Sequence, residues 1–405
     1  MDISRKMDYV DQRKGTFDTT TIHEERSTMK KPTYHKFTTE PFQRFDDRNS
    51  GFSRFQREQI AKIQDLKYEQ KPSVSSTAKI QKGDPSEIGE KKGFGKKDYA
   101  LSWGGRTVDY LIRANLYTRD LDIDENKIDV SDSSSVTRQV KSAALWYGAN
   151  LAGICEVNPA WIYSHWGDYN AFYSGGLAKA GESIEIPSWL KYCVVLIVGM
   201  DYEDIMRSPA IDASTSKAYA KMAFVATSLA TYIRQLGYHA MPSGNDYAIN
   251  IPLAIDAGLG EMGRNGLLIT DKYGPRVRIS KVFTNLPLEA DEPVDLGVQA
   301  FCEECKLCAY KCPSGAIMNG KRTDKAYDES NNMYMKKWPI KAMKCMHWWE
   351  KNKSHCSNCI RVCPFNKPPG TIHTMARKVI KTTAMLDKFL IKLDEVSGYG
   401  KQVIK

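Results

Sequence analysis

The chain has 405 residues, 42% of them hydrophobic, and a formal net charge of +10. That length suits about two to three domains with a sizeable core. No apolar run reaches the ~18 residues a membrane span needs, and the basic residues are scattered rather than blocked, which argues for a solvated surface and against a nucleic-acid partner.

The N-terminus is polar from Met1 onward and shows neither a secretory signal nor a twin-arginine pair. It therefore reads as a cytoplasmic chain or one whose signal has been removed. Residues 1–98 are rich in charge, yet Tyr34, Phe37, Phe42, Phe45, Phe52 and Phe55 recur through them. An irregular arm that packs its aromatics onto another surface is the expectation. Thr107 to Tyr117 reads as a short helix, and Asp120 to Ser135 as a polar linker.

From Val136 the pattern becomes that of an α/β (α+β) domain. Val136 to Tyr147 is helix-like, with Val140, Ala143, Ala144 and Tyr147 on one face. Leu151–Cys155 and Tyr192–Val198 read as buried strands, and Ala213–Leu236 as a long helix closed by Gly237. Pro242–Asp246 reads as a loop, followed by a short helix through Ala257 and by strands at Leu267–Thr270 and Val277–Phe283. Lys321–Lys344 is a polar insertion. Ile372–Val396 reads as one amphipathic helix carrying Ile380, Met385, Leu386, Phe389 and Leu390, expected to pack against the body. Four segments result, 1–135, 136–295, 296–370 and 371–405.

Eight of the ten cysteines fall in the third segment. Cys302, Cys305, Cys308 and Cys312 before Pro313 form a C-x2-C-x2-C-x3-C-P run, the spacing of two-cluster ferredoxins. Cys345, Cys356, Cys359 and Cys363 before Pro364 repeat it, with ten residues inserted after the first cysteine. Three closely spaced cysteines wrap one cubane and the fourth reaches the neighbouring one. Cys302, Cys305, Cys308 and Cys363 are therefore assigned to one [4Fe–4S] cluster, and Cys345, Cys356, Cys359 and Cys312 to a second. Structural zinc uses separated pairs, and a disulfide framework belongs to short secreted chains.

Several stretches together resemble the respiratory corrinoid-dependent reductive dehalogenases: 141–154, Gly258-Leu-Gly260, 274–278, 282–285 and the split double motif ending at Phe365. The resemblance runs from about Val136 to Pro369. It implies a nitroreductase-like corrinoid-binding domain followed by a ferredoxin-like domain with two [4Fe–4S] clusters. It also implies removal of halide from a small organohalide, by default a one- or two-carbon chlorinated alkane or alkene.

The family's tyrosine, asparagine and arginine fall on Tyr219, Asn245 and Arg278, separated here by 26 and 33 residues. A phenol, with an ordinary pKa near ~10, suits a proton donor at neutral pH, and a guanidinium stabilises the phenolate it leaves. Thr215, one turn before Tyr219, and Trp348, Trp349 and His355 are candidate substrate-pocket residues. Ser243, Gly258, Leu259, Gly260, Gly263, Asn265 and Gly266 are candidates to approach the corrinoid, since small residues permit close backbone contact. The chain has no D-x-H-x-x-G motif, in keeping with the family's corrinoid, which has no protein lower ligand.

By the same resemblance the partners are a small membrane anchor protein and an upstream electron donor, and a homodimer stays open. The location is the outer face of the cytoplasmic membrane after twin-arginine export. A related corrinoid and iron–sulfur enzyme, epoxyqueuosine reductase, acts on transfer RNA with a carboxylate acid and is the alternative; Tyr219 counts against it. A plain electron carrier would have no use for the three spaced residues.

Overall fold

The structure, a computed structural model, describes residues 43–64, 95, 97–98, 100–105, 123–173, 178–332 and 335–402. Tyr34, Phe37, Phe42 and the helix expected at Thr107–Tyr117 lie outside those residues. At the centre is a sheet of β1 (Leu151–Glu156), β2 (Tyr192–Gly199), β3 (Ala240–Ser243) and β4 (Val277–Thr284), in the spatial order β1-β2-β4-β3. Every pairing is antiparallel, Val195 facing Lys281 and Met241 facing Phe283. The mixed architecture is therefore of the α+β kind.

β2 sits inside the sheet, and every residue from Cys193 to Val198 is buried. A strand covered on both faces needs such an unbroken apolar run. The loop expected at Pro242–Asp246 gives up Pro242 and Ser243 to β3, a short strand whose Pro242 is tolerated because β3 is an edge strand. The strand expected at Leu267–Thr270 shrinks to Leu268–Ile269, paired with Glu261–Met262.

Four helices flank this sheet or its approaches: α1 (Gly51–Gln64), α2 (Ser133–Trp146), α3 (Asp212–Gln235) and α4 (Asn250–Asp256). Asp132 caps α2 by accepting from the Ser135 amide at 2.9 Å. Val136, Val140 and Ala144 of α2, with Ala226, Leu229 and Ile233 of α3, meet Ile154, Val194, Leu196 and Val282 on one face of the sheet. Trp161, Leu253 and Ala254 meet Val195, Ile197 and Phe283 on the other. Each fully buried aliphatic side chain contributes about 1.5–3 kcal/mol. Gly237 ends α3 with φ +87°, where a Cβ would sit 2.8 Å from the Lys127 Cα.

Two short helices lie at Asp168–Tyr173 and Tyr202–Met206, and the C-terminal part adds α5 (Val298–Cys305), α6 (Leu307–Tyr310), α7 (Ala342–Asn352), α8 (Asn358–Arg361), α9 (Thr371–Thr382) and α10 (Asp387–Val396). The single helix expected over Ile372–Val396 is thus two. Thr382 turns its hydroxyl back to the Lys378 and Val379 carbonyls, and Thr383 is extended, which ends α9. Ile380 and Leu390 pack around Val298 and Phe301, whereas Met385, Leu386 and Phe389 remain exposed. Among the described residues no helix is long and apolar enough to cross a membrane.

The N-terminal segment is helical rather than irregular over α1, and its described aromatics make contacts with the body, Phe52 while staying 37% exposed. Phe55 is buried, Phe52 lies 6.1 Å from the Trp349 ring, and Phe45 lies 6.2 Å from Tyr163.

Under Trp161, the Asp256 carboxylate accepts from the indole Nε1 at 2.7 Å, and its other oxygen has no partner. Burial pushes its pKa up to about 7. A carboxyl raised above its unfolded value holds its proton longer in the native state, so its contribution is full below about pH 4 and lost as pH rises to about 7. Asp256→Asn keeps the indole contact without the ionisation. Above pH 7 it is expected to raise the stability, by up to about 4 kcal/mol on linkage grounds, read as a higher melting temperature at pH 8 with little change at pH 5.

Candidate active site and cluster centre

Tyr219 stands on α3, Arg278 on β4 and Asn245 in the loop after β3. Three separate elements therefore converge here. The Asn245 side-chain amide donates to the Tyr219 hydroxyl at 2.7 Å, and the Arg278 guanidinium lies 5.3 Å from the Tyr219 ring centroid. Arg278 also donates to the Thr215 hydroxyl at 3.3 Å, which places Thr215 in the same cluster. The loop is held by the Ser243 hydroxyl, which donates to the Asp246 carbonyl at 2.7 Å, and by the Gly244 amide, which donates to the Asp246 carboxylate at 2.8 Å. Tyr247 completes the turn with φ 70°, its ring fully buried.

The stretch that splits the second cysteine motif is α7 and the turn after it. His355 pairs through its Nδ1 with Asp212 at the start of α3, and its backbone amide donates to the same carboxylate at 2.9 Å. Trp349 meets the His355 ring edge-on at 4.9 Å. Asn352 donates to the Pro209 carbonyl and Ser208 to Asn358, so the cysteine-bearing segment docks on the entry to α3. Trp348 lies beside Cys356, whose pKa burial raises and the Trp348 contact partly lowers. His355, with Trp349 on its ring, is thus fixed to Asp212 at the start of the helix that carries Tyr219, and Trp348 belongs to the cysteine side of α7.

Cys302, Cys305, Cys308 and Cys363 line one hollow together with Ile269, Phe301 and Phe365. Cys345, Cys356 and Cys312 gather around Cys359 and act on its charge, as does Cys308 from the first set. Cys363 of the second motif thus sits with the first three cysteines, and Cys312 of the first motif is among the neighbours of Cys359. Among the described residues, no three His, Cys, Asp or Glu side chains converge as ligands of a single ion do; Cys302, Cys305, Cys308 and Cys363 surround a hollow instead, as a cubane requires. Burial pushes their thiols up, Cys302 to about 11 and Cys308 and Cys345 to about 12. A cationic core is then what draws out the thiolates, and the residues fit two clusters.

Tyr219 and Cys359 pack against one apolar group that includes Val198, Met222 and Ile360. The second cysteine set therefore lies on the Tyr219 side. For a corrinoid, the relevant observation is the buried Arg278 Nε, which has no hydrogen-bond partner. An amide or phosphate oxygen such as a corrinoid carries would satisfy it, so the residues beside Tyr219 fit that group.

The small residues proposed to approach the macrocycle have closer neighbours in the chain itself. A Cβ at Gly258 would lie 2.5 Å from the Glu292 carbonyl oxygen, at Gly260 2.3 Å from that of Ile269, at Gly263 2.5 Å from the Ile269 side chain, and at Gly266 2.8 Å from Ile340. Ser243 is consumed by its loop, Leu259 packs on the core, and the Asn265 side chain accepts from the Leu267 amide.

Three residues that sequence reasoning passed over are prominent. Arg264 is almost fully buried, donates to the Cys302, Met318 and Gly320 carbonyls at 2.7–2.9 Å, and covers the Trp338 ring at 4.6 Å. It staples the first cysteine loop to the polar insertion. Lys281 and Asn250 lie behind Asn245: the buried Lys281 ammonium donates to the Asn250 side-chain oxygen at 2.7 Å, and Asn250 donates to that of Asn245 at 2.9 Å.

Residues 301–366 match the family described as "4Fe-4S double cluster binding domain". The tetrachloroethene reductive dehalogenase of Desulfitobacterium hafniense is 39% identical over 297 residues, 65% of this chain and 54% of that protein. The tetrachloroethene reductive dehalogenase of Sulfurospirillum multivorans is 33% identical over 322 residues, 75% of this chain and 64% of that protein. Among solved structures, the catabolic reductive dehalogenase NpRdhA superposes with a TM-score of 0.72 at 22% identity, over 93% of this chain and 50% of that one, which speaks to the fold alone. The chain spans about half the length of the first of these curated relatives.

Proposed function

We propose, from the premise that this chain belongs to the reductive dehalogenase family, that it replaces a carbon–halogen bond of a small organohalide by carbon–hydrogen. The observation that carries the reading is the convergence of Tyr219, Asn245 and Arg278 from three elements at 2.7 Å and 5.3 Å. The balance is two electrons and one proton in, halide out. When bound, a corrinoid supplies low-valent cobalt for bond cleavage, and two [4Fe–4S] clusters at the cysteine sets supply electrons from potentials that reach about −700 mV.

The chain's own residues handle the proton. Tyr219 gives its hydroxyl proton to the carbon that loses halide and is reprotonated from water. The Arg278 guanidinium beside the ring stabilises the phenolate in between, and Asn245 donates to the same oxygen. Trp348, Trp349 and His355 on the cysteine side wall the approach, where shape rather than hydrogen bonding selects an apolar substrate.

A chlorinated one- or two-carbon alkane or alkene is the proposed substrate, supported by relatives named for tetrachloroethene. Export by a twin-arginine route, residence on the outer face of the cytoplasmic membrane, a small anchor protein and an upstream electron donor are proposed with it. A phenol rather than a carboxylate at position 219 favours this over the epoxyqueuosine reductase reading.

The test is halide release from a panel of chlorinated methanes, ethanes and ethenes by the reconstituted protein with a low-potential donor. Release from at least one, with a corrinoid recovered on acid extraction, is expected. No release from any of them by corrinoid-loaded protein would sink the proposal.

A further inference from the structure

We propose that Lys281 and Asn250 are positioning residues that fix which way the Tyr219 hydroxyl proton points; the proposal deepens the dehalogenase reading and rests on it for its consequence. The Tyr219 oxygen accepts from Asn245, whose oxygen accepts from Asn250, whose oxygen accepts from Lys281, at 2.7, 2.9 and 2.7 Å. An asparagine can exchange its oxygen and nitrogen by a half turn of the side chain, so either link alone could run in the opposite sense.

An ammonium can only donate. Lys281 is completely buried, and its three hydrogens have three acceptors: the Gly244 carbonyl at 2.5 Å, the Asp246 carbonyl at 3.3 Å and Asn250. Burial pulls its pKa down to about 8 while the Asp246 charge pushes it back up, so it stays protonated at neutral pH. With a pure donor at the root, Asn250 must present its oxygen to Lys281 and its NH2 outward. The Ile279 carbonyl, 3.4 Å from that NH2, favours the same sense. Asn245 is then obliged to present its NH2 to the phenol. Turning either amide over would face donor to donor in a partly buried chain, at a cost of the desolvation of an unpaired polar group.

The consequence falls on Tyr219. With its oxygen engaged as an acceptor, and no acceptor among the described residues taking its hydrogen, the hydroxyl proton is left for the pocket. Reversal of the chain would turn that proton inward onto Asn245 and withhold it from substrate.

Asn250→Asp reverses the chain while keeping size and adding a carboxylate for Lys281. Both its oxygens accept, so Asn245 must donate to it and show its own oxygen to Tyr219. The direct readout is the phenol C–O stretch of ring-labelled tyrosine in the cofactor-loaded protein, with Tyr219→Phe subtracted to isolate the band, because a phenol that only accepts differs in frequency from one that donates. The expected result is a band shifted to the donor position, kcat lowered at least about tenfold, and KM within about twofold. Lys281→Met is expected to split the band between the two positions.

An unshifted band in Asn250→Asp overturns the proposal, as does a shifted band with unchanged kcat. The infrared readout needs no turnover. A shifted band in a protein whose wild type releases no halide therefore keeps the relay and overturns the dehalogenase reading instead.

Discussion

Tyr219→Phe is expected to lower halide release by about 10²–10⁴-fold, the span associated with losing a positioned general acid, with KM nearly unchanged. The substitution removes one oxygen and keeps the ring. The apolar contacts with Val198, Met222 and Ile360, and the Arg278 guanidinium over the ring face, survive. What goes is the proton and the acceptor that Asn245 addresses. Because the carbon still needs a proton, the residual rate should fall as pH rises and solvent protons become scarcer, and its solvent isotope effect should differ from that of the wild type. Iron content and the cluster spectrum should match the wild type. Full turnover in this variant would remove Tyr219 from the mechanism.

Arg278 gives a graded companion. Arg278→Lys keeps the charge but loses the planar group that reaches Thr215 while lying over the ring. It is expected to cost about tenfold to a hundredfold, less than the loss of the phenol itself, in kcat from the same halide-release assay.

The cysteine sets were legible because their information is local: spacing of two and three residues dictates which thiols can reach one cubane. Tyr219, Asn245 and Arg278 were legible only through family spacing, since no local pattern joins a helix, a loop and a strand. Lys281 left a usable signal. On β4 one of the two buried phases reads Val277, Ile279, Lys281, Phe283, and a lysine in an otherwise apolar phase marks a buried charge that needs partners. Arg264 left none, because the flanking Gly263 and Gly266 draw the eye to a turn while its guanidinium acts on the Cys302 carbonyl 38 residues later. β3 was hidden by Pro242, which only edge placement tolerates. The break between α9 and α10 turns on where the Thr382 hydroxyl points, which periodicity does not encode.

Cys363→Ala and Cys302→Ala are each expected to remove about half of the bound iron, because each strips one ligand from the first cubane. Their double variant should lose no more than either single one. Two ligands of one cluster act as a unit, and removing the second costs nothing once the cluster has gone. Cys302→Ala combined with Cys312→Ala should lose nearly all the iron, since those residues, although in one motif, serve different cubanes under the crossed assignment. If each motif instead held its own cluster, the outcomes would exchange: Cys302 with Cys312 would be non-additive and Cys302 with Cys363 would empty the protein. The hollow lined jointly by Cys302, Cys305, Cys308 and Cys363 favours the first pattern. Alanine at Cys155 or Cys193, buried partners across β1 and β2, should leave the iron content unchanged, because neither approaches the cluster loops. Iron assay and low-temperature electron paramagnetic resonance on the same samples read all of these outcomes, and halide release should vanish in every variant that loses iron, since the proposed reaction draws both electrons through the pair.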